Sequence, residues 1–216
     1  MFLHFIYLAC LLVSSLVGFW YRRELKSRLL SLFPWYLLIV FLQELIVFIL
    51  LRTNTHLSTG VIYNIYNPVS ALFFAMFYYR IPFNAGSRPL IGSLLTLFLV
   101  GTTTCFIWIQ PVQVYNNYIS LAAGFLITLC GLLFLFNYFK LDHAAEEKKW
   151  QPVIWITIGL VAFFPVVNIS FALYKYLLAY QATIFGQKLY RLIPQLMSIF
   201  MYGCFIRAFY LCKKRK

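Results

Sequence analysis

Seven long apolar runs, parted by short polar breaks, leave this chain very few ways to fold. A run of roughly 18 or more apolar residues can cross a bilayer as a helix. Lipid offers no partner to an exposed N–H or C=O, so a spanning segment must satisfy its own backbone. The alternating pattern of a membrane barrel is absent, and helices are what remain. The runs lie at about 2–20, 33–51, 60–79, 90–110, 118–139, 152–174 and 189–211. Only 11% of residues are charged and the mean hydropathy is +0.83, whereas a soluble domain is about a quarter charged. No break is long enough to be a domain. The expected fold is an all-α polytopic membrane protein, a seven-transmembrane-helix bundle making a single transmembrane domain over residues 1–216.

A net charge of +13 would suit nucleic acid, but the positions of the charges favour a membrane. With the N-terminus outside, the loops after spans one, three and five and the C-terminus become cytoplasmic. They carry Arg22, Arg23, Lys26, Arg28, Arg80, Arg88, Lys140, Lys148, Lys149 and the terminal "KKRK", with Arg207 at the inner end of span seven. Of 18 basic residues only Arg52, Lys175, Lys188 and Arg191 fall outside. The positive-inside rule then predicts N-terminus outside and C-terminus cytoplasmic. "KKRK" reads as an orientation signal touching anionic lipid, and no nucleic-acid partner is expected. The first span reads as a retained helix, since a cleaved signal carries positive charge ahead of its apolar region and "MFLHFIYLAC" carries none.

Ser14 and Gly18 on span one, and Ser120, Gly124 and Thr128 on span five, form small-residue stripes. Such stripes let helices approach closely in lipid, within the chain or against a second copy, with the first reading favoured. The five cysteines fall in or at the ends of spans, as small packing residues do. Trp20, Trp35, Trp108, Trp150 and Trp155 lie near span ends, where interfacial aromatic belts form.

The polar residues inside the spans are unevenly placed. Glu44 is the one acid within a span; a carboxylate near mid-bilayer costs on the order of 3 kcal/mol and faces the bundle or water. It is either a protonated group bonded to a neighbouring helix or a ligand or proton site. Under the charge-derived topology, Glu44, Asn64, Asn67, Asn168, Ser170, Arg191, Gln195 and Ser198 all fall toward the outer side. Thr102, Thr103, Thr104 and His4 share that level, while the inner halves hold little beyond Ser93, Thr96 and Asn137. Pro68 and Pro194 free the carbonyls of Asn64 and Tyr190. An outward-facing polar pocket lined by Glu44, Asn64, Asn67, Asn168, Gln195 and Arg191 would produce this bias, and so would interhelical hydrogen bonding without a ligand. Prolines within spans three, six and seven are simple kinks or a trace of transporter-like construction.

Catalytic and metal motifs are missing. His4, His56 and His143 are scattered, and no HExxH, CxxC, Walker loop or GxSxG occurs. Asp142, His143, Glu146 and Glu147 read as a solvated helix end beside Lys148 and Lys149. No enzyme activity, cofactor or metal is expected.

At "QELIVFILLRTN", "YNIYNP" and "LIPQLMSIFMYGCFIRAFYLCKKRK" the chain resembles a group of uncharacterised seven-helix inner-membrane proteins of Bacteroidota-type bacteria. That group carries an acid in span two, a "YNI" motif opening span three and an aromatic last span ending in Cys and basic residues. The resemblance implies a seven-helix fold and a bacterial inner-membrane location. Some members lie near sensor kinases, which favours signalling. Three functions stay open. The favoured one is a receptor-like sensory module that binds a small or amphipathic ligand and acts through a separate membrane or cytoplasmic partner. The others are a small-solute or proton-coupled transporter and a structural subunit of a membrane complex.

Overall fold

The computed structural model describes residues 2–26, 30–53, 59–140, 147–180, 183–184 and 187–213. His56, Asp142, His143, Glu146 and the last three residues of the "KKRK" tail lie outside them. Nine α-helices are described: α1 (Phe2–Trp20), α2 (Arg22–Lys26), α3 (Phe33–Arg52), α4 (Thr59–Arg80), α5 (Arg88–Thr104), α6 (Asn117–Lys140), α7 (Glu147–Ala172), α8 (Tyr174–Ala179) and α9 (Leu189–Leu211). Seven of the described helices, all but α2 and α8, are long and apolar enough to cross a membrane, α5 together with the helical turn that continues it to Ile109. The architecture is therefore that of a multi-pass, all-α membrane protein, as the runs predict. A two-residue hairpin pairs Thr183 with Lys188 and Ile184 with Gln187 ahead of α9.

Local chemistry sets the helix limits. Ile81 precedes a proline and so leaves the helical region, which closes α4 at Arg80. The Arg88 guanidinium then donates to the Tyr79 carbonyl at 3.1 Å, satisfying one of the orphan acceptors at that end. Pro89 stands in the first turn of α5, where its missing N–H costs nothing. At its far end α5 widens into a π-helical turn, Cys105–Ile109, closed by the Gln110 N–H on the Cys105 carbonyl at 2.9 Å. The sixth span differs most from expectation. Its helix starts at Glu147, five residues ahead of Pro152, and ends at Ala172; the proline gives up one intrahelical bond, the one its N–H would make to the Lys148 carbonyl.

Along the chain, contacts gather into two compact units, with the division falling inside α3. The first holds residues 1–42 and 142–216, and within it α9 packs on both α1 and α7. Two glycines make this possible. A Cβ on Gly159 would stand 3.0 Å from the Cys204 Cβ and 3.3 Å from the Met201 carbonyl oxygen. A Cβ on Gly18 would meet the Pro34 ring at 2.8 Å, and Ser15 Oγ donates to the Pro34 carbonyl beside it at 3.0 Å. The glycine of the span-one stripe thus packs within the chain. Leu11, Phe33, Leu37, Ile156, Leu160, Phe205 and Phe209 fill this core.

The second unit, residues 43–141, is built of α4, α5 and α6, each packed on the other two, with the later part of α3. Ala71, Phe74, Ala75, Tyr78, Ile127, Cys130 and Phe134 form its buried interior. Asn137 Nδ2 donates to Ser87 Oγ at 2.9 Å and ties α6 to the turn before α5.

Candidate functional site

The polar chemistry of the second unit is concentrated around α4. Asn64, Pro68 and the residues between them lie in an unbroken helix. Asn64 is buried, and its side chain reaches across to the segment joining α5 to α6. Its Nδ2 donates to the carbonyls of Val112 and Val114, both at 2.7 Å. Its Oδ1 accepts the Asn116 N–H at 2.9 Å. Both amide hydrogens are thereby committed to protein, so in this conformation Asn64 is a clamp on residues 112–116 with no donor left for a ligand.

Asn116 continues the lattice. Its Oδ1 accepts the N–H groups of Tyr118 and Ile119 at 3.0 and 3.2 Å, the geometry of an N-cap on α6. Its Nδ2 donates to Cys105 Sγ at 3.0 Å, in the π-helical turn. Gln110 adds a hydrogen bond to the Tyr115 carbonyl at 3.2 Å. An irregular segment at the edge of an apolar helix cluster has few backbone partners of its own; here Asn64, Asn116 and Gln110 supply them.

Beside the clamp lies a second group. Tyr63 donates its hydroxyl to the Glu44 carboxyl, with Oε1 at 3.3 Å and Oε2 at 3.5 Å. The Tyr63 ring meets Tyr115 edge to face, with centroids 6.2 Å apart. Tyr115 lies between the spans, and burial raises the pKa of its phenol; Ser120 and Asn67 act on the hydroxyl in the opposite direction. Asn67 is near enough to be felt there, yet its Nδ2 is buried and completes no hydrogen bond among the described residues. That amide keeps an unused donor. Tyr63 and Asn67 stand one helical turn apart and so share a face of α4. Glu44, Tyr63, Tyr115, Ser120 and Asn67 therefore make one constellation.

The six residues singled out from sequence divide between the units. Glu44, Asn64 and Asn67 belong to the second. Asn168, Arg191 and Gln195 belong to the first: Asn168 is half-buried on α7, and Gln195 is half-buried on α9 one position past Pro194. Arg191 is exposed, its guanidinium 5.7 Å from the Tyr190 ring centre. Several hydroxyls at the expected polar level are spent on their own helices. Thr103 donates to Leu99 O and Thr104 to Val100 O, both at 2.9 Å. Ser170 donates to Val166 O at 2.9 Å, and Ser198 to Pro194 O at 2.8 Å. Such back-bonding lets a hydroxyl sit in an apolar helix without any pocket.

Sequence reasoning passes over Tyr63, Tyr115 and Asn116. Two signals point to them: the i, i+4 spacing of Tyr63 and Asn67, and an asparagine just ahead of an apolar run, the usual mark of an N-cap. Among the described residues no three His, Cys, Asp or Glu side chains gather as a metal site, and the five cysteines are free thiols. Comparison with protein-family models, with curated proteins and with solved structures finds no match to this chain.

Proposed function

We propose that the protein is a receptor-like sensory module of the bacterial inner membrane, in which the constellation around Asn67 binds a small polar or amphipathic ligand. One observation carries this reading: the Asn67 amide holds a buried donor with no partner among the described residues, beside a carboxyl and two tyrosines. An unsatisfied buried donor costs about 1–3 kcal/mol, and a ligand acceptor would recover it. The Glu44 carboxyl brings acceptor oxygens and the Asn67 amide a donor to the same locus, so the best ligand carries both a donor and an acceptor. In the charge-derived topology this locus lies toward the outer side and the C-terminus is cytoplasmic. The ligand then acts on the segment pinned by Asn64, and a separate membrane or cytoplasmic partner receives the signal without catalysis by this chain.

Glu44 as the lone acid of the spans favours a second reading, a proton-coupled transporter. The two separate in reconstituted protein. Thermal-shift screening against small polar and amphipathic solutes should find one that stabilises the wild type and not Asn67→Ala, while a pH gradient drives no uptake of it. If Asn67→Ala responds like the wild type to every solute, the site is misassigned. If uptake follows the gradient and stops in Glu44→Gln, the protein is a transporter.

A further inference from the structure

Away from that constellation, in the first unit, the end of α1 and the start of α3 enclose a cleft of about 580 Å³. Phe19, Trp20, Arg22, Arg23, Ser31 and Trp35 line it. Arg22 and Arg23 are exposed. The Arg22 guanidinium lies over the Trp35 ring, 5.6 Å from its centre, and Phe19 meets the same ring edge to face at 4.9 Å. Trp20 is 83% exposed.

We propose that this cleft seats the phosphodiester headgroup of an anionic glycerophospholipid from the surrounding bilayer. A guanidinium stacked on an indole keeps its edge donors free, and a planar donor fork matches the oxygens of a phosphate. Arg23 adds a second cation, and the stretch from residue 22 to 28, "RRELKSR", holds one acid against four bases. A choline headgroup carries its own cation, so two arginines select for lipids with net negative charge. Trp20 and Phe19 end a membrane-length helix, where an indole half in lipid and half in water is at its most favourable. A free phosphate ion would leave that aromatic wall bare, whereas the glycerol and upper acyl chains of a lipid cover it. The volume also falls in the range of about 300–1,000 Å³ usual for ligand sites. The charge distribution of the chain assigns this end to the cytoplasmic leaflet, the one rich in anionic headgroups in many membranes.

The test uses full-length protein in phosphatidylcholine nanodiscs, in a Trp108→Phe, Trp150→Phe, Trp155→Phe background that leaves Trp20 and Trp35 as its two tryptophans. Dibrominated phosphatidylglycerol or dibrominated phosphatidylcholine is added at low mole fraction, and tryptophan quenching is followed. Two surface arginines should give the anionic lipid about a tenfold preference or more. Arg22→Gln with Arg23→Gln should abolish the preference, and Arg22→Lys with Arg23→Lys should keep most of it. Equal quenching by both lipids, or a preference that survives the glutamine pair, overturns the proposal. So does relief of quenching by soluble glycerol phosphate, which would make the ligand a free phosphate ester. Native mass spectrometry of the wild type needs no substitution: phosphatidylglycerol should stay bound where phosphatidylcholine is lost, and equal retention of the two overturns the proposal as well.

Discussion

Replacing Asn64 separates a clamp from a ligand contact. Asn64→Ala removes three hydrogen bonds of 2.7, 2.7 and 2.9 Å; it strands the Val112 carbonyl and the Asn116 N–H and leaves the Val114 carbonyl a longer bond of 3.4 Å from Gln110. Interhelical bonds in membranes average about 0.6 kcal/mol and those in soluble proteins reach about 1.5. Three of them set the cost of opening the 112–116 segment at about 2–4 kcal/mol. Since 1.4 kcal/mol is a factor of ten, the open population should rise on the order of a hundredfold. Asn64→Asp is the sharper variant. It keeps the shape and the acceptor for Asn116, but an ionised carboxylate has no hydrogen to give and faces two carbonyl oxygens. The aspartate should therefore be no better than alanine at neutral pH and should recover partly in acid, when its protonated form regains one donor. Hydrogen exchange by mass spectrometry over residues 110–119, in nanodiscs, measures this directly. Exchange in Asn64→Asp indistinguishable from wild type at pH 7 would refute the clamp.

Three further outcomes follow from the same geometry. Asn116→Ala removes the N-cap of α6 and the bond to Cys105; it should cost about 1–2 kcal/mol and raise the reactivity of Cys105 toward a membrane-permeant maleimide, whereas Asn116→Asp should keep the cap. Gly159→Val places atoms where even a Cβ already meets Cys204 at 3.0 Å, so α7 and α9 must part; a loss of about 1–3 kcal/mol should appear as a lower unfolding midpoint in detergent, with Gly203→Ala, where a Cβ meets nothing, as the neutral control. Burial raises the Tyr115 pKa above the ordinary phenol value of 10.0, so the folded state holds that proton more tightly than the unfolded one. Its contribution to stability is complete below pH 10 and is lost as pH climbs through the raised value; as pH rises past 10.0 the unfolding midpoint of Tyr115→Phe should fall less steeply than that of wild type.

The span limits are legible because lipid imposes one rule on every residue: an apolar run must be helical for as long as it is in hydrocarbon. The run at 189–211 coincides with α9 and that at 2–20 with α1. The π-helical turn at Cys105–Ile109 and the hairpin before α9 are not legible, since neither breaks the hydropathy pattern. For the site, the helix that carries each polar group is readable and the direction it faces is not. Asn64 and Asn67 are correctly singled out as polar groups of one helix, but they are three residues apart and in different situations. Asn64 meets a row of backbone acceptors and is consumed by them; Asn67 keeps a donor unused. Thr103 and Thr104 illustrate the converse, polar in the sequence and silent in the structure, because a hydroxyl can turn back on its own helix. Asn116 is hidden by its neighbours: in "VYNNY" it looks like a loop residue, and its role depends on Asn64, which lies far away in sequence.

That α9 packs on both α1 and α7 bears on how the chain is made. Synthesis runs from the N-terminus, so of these seven spans α1 is made before the others and one of its principal partners after them. For nearly the whole of translation the side of α1 at Gly18, which the Phe209 ring of α9 comes to cover, must wait in lipid. The second unit has no such delay, because its residues are contiguous and its helices can pair as they emerge. Assembly should thus begin in the middle of the sequence and finish at its two ends, and a ribosome that stalls before α9 leaves an orphaned first helix for quality control to find.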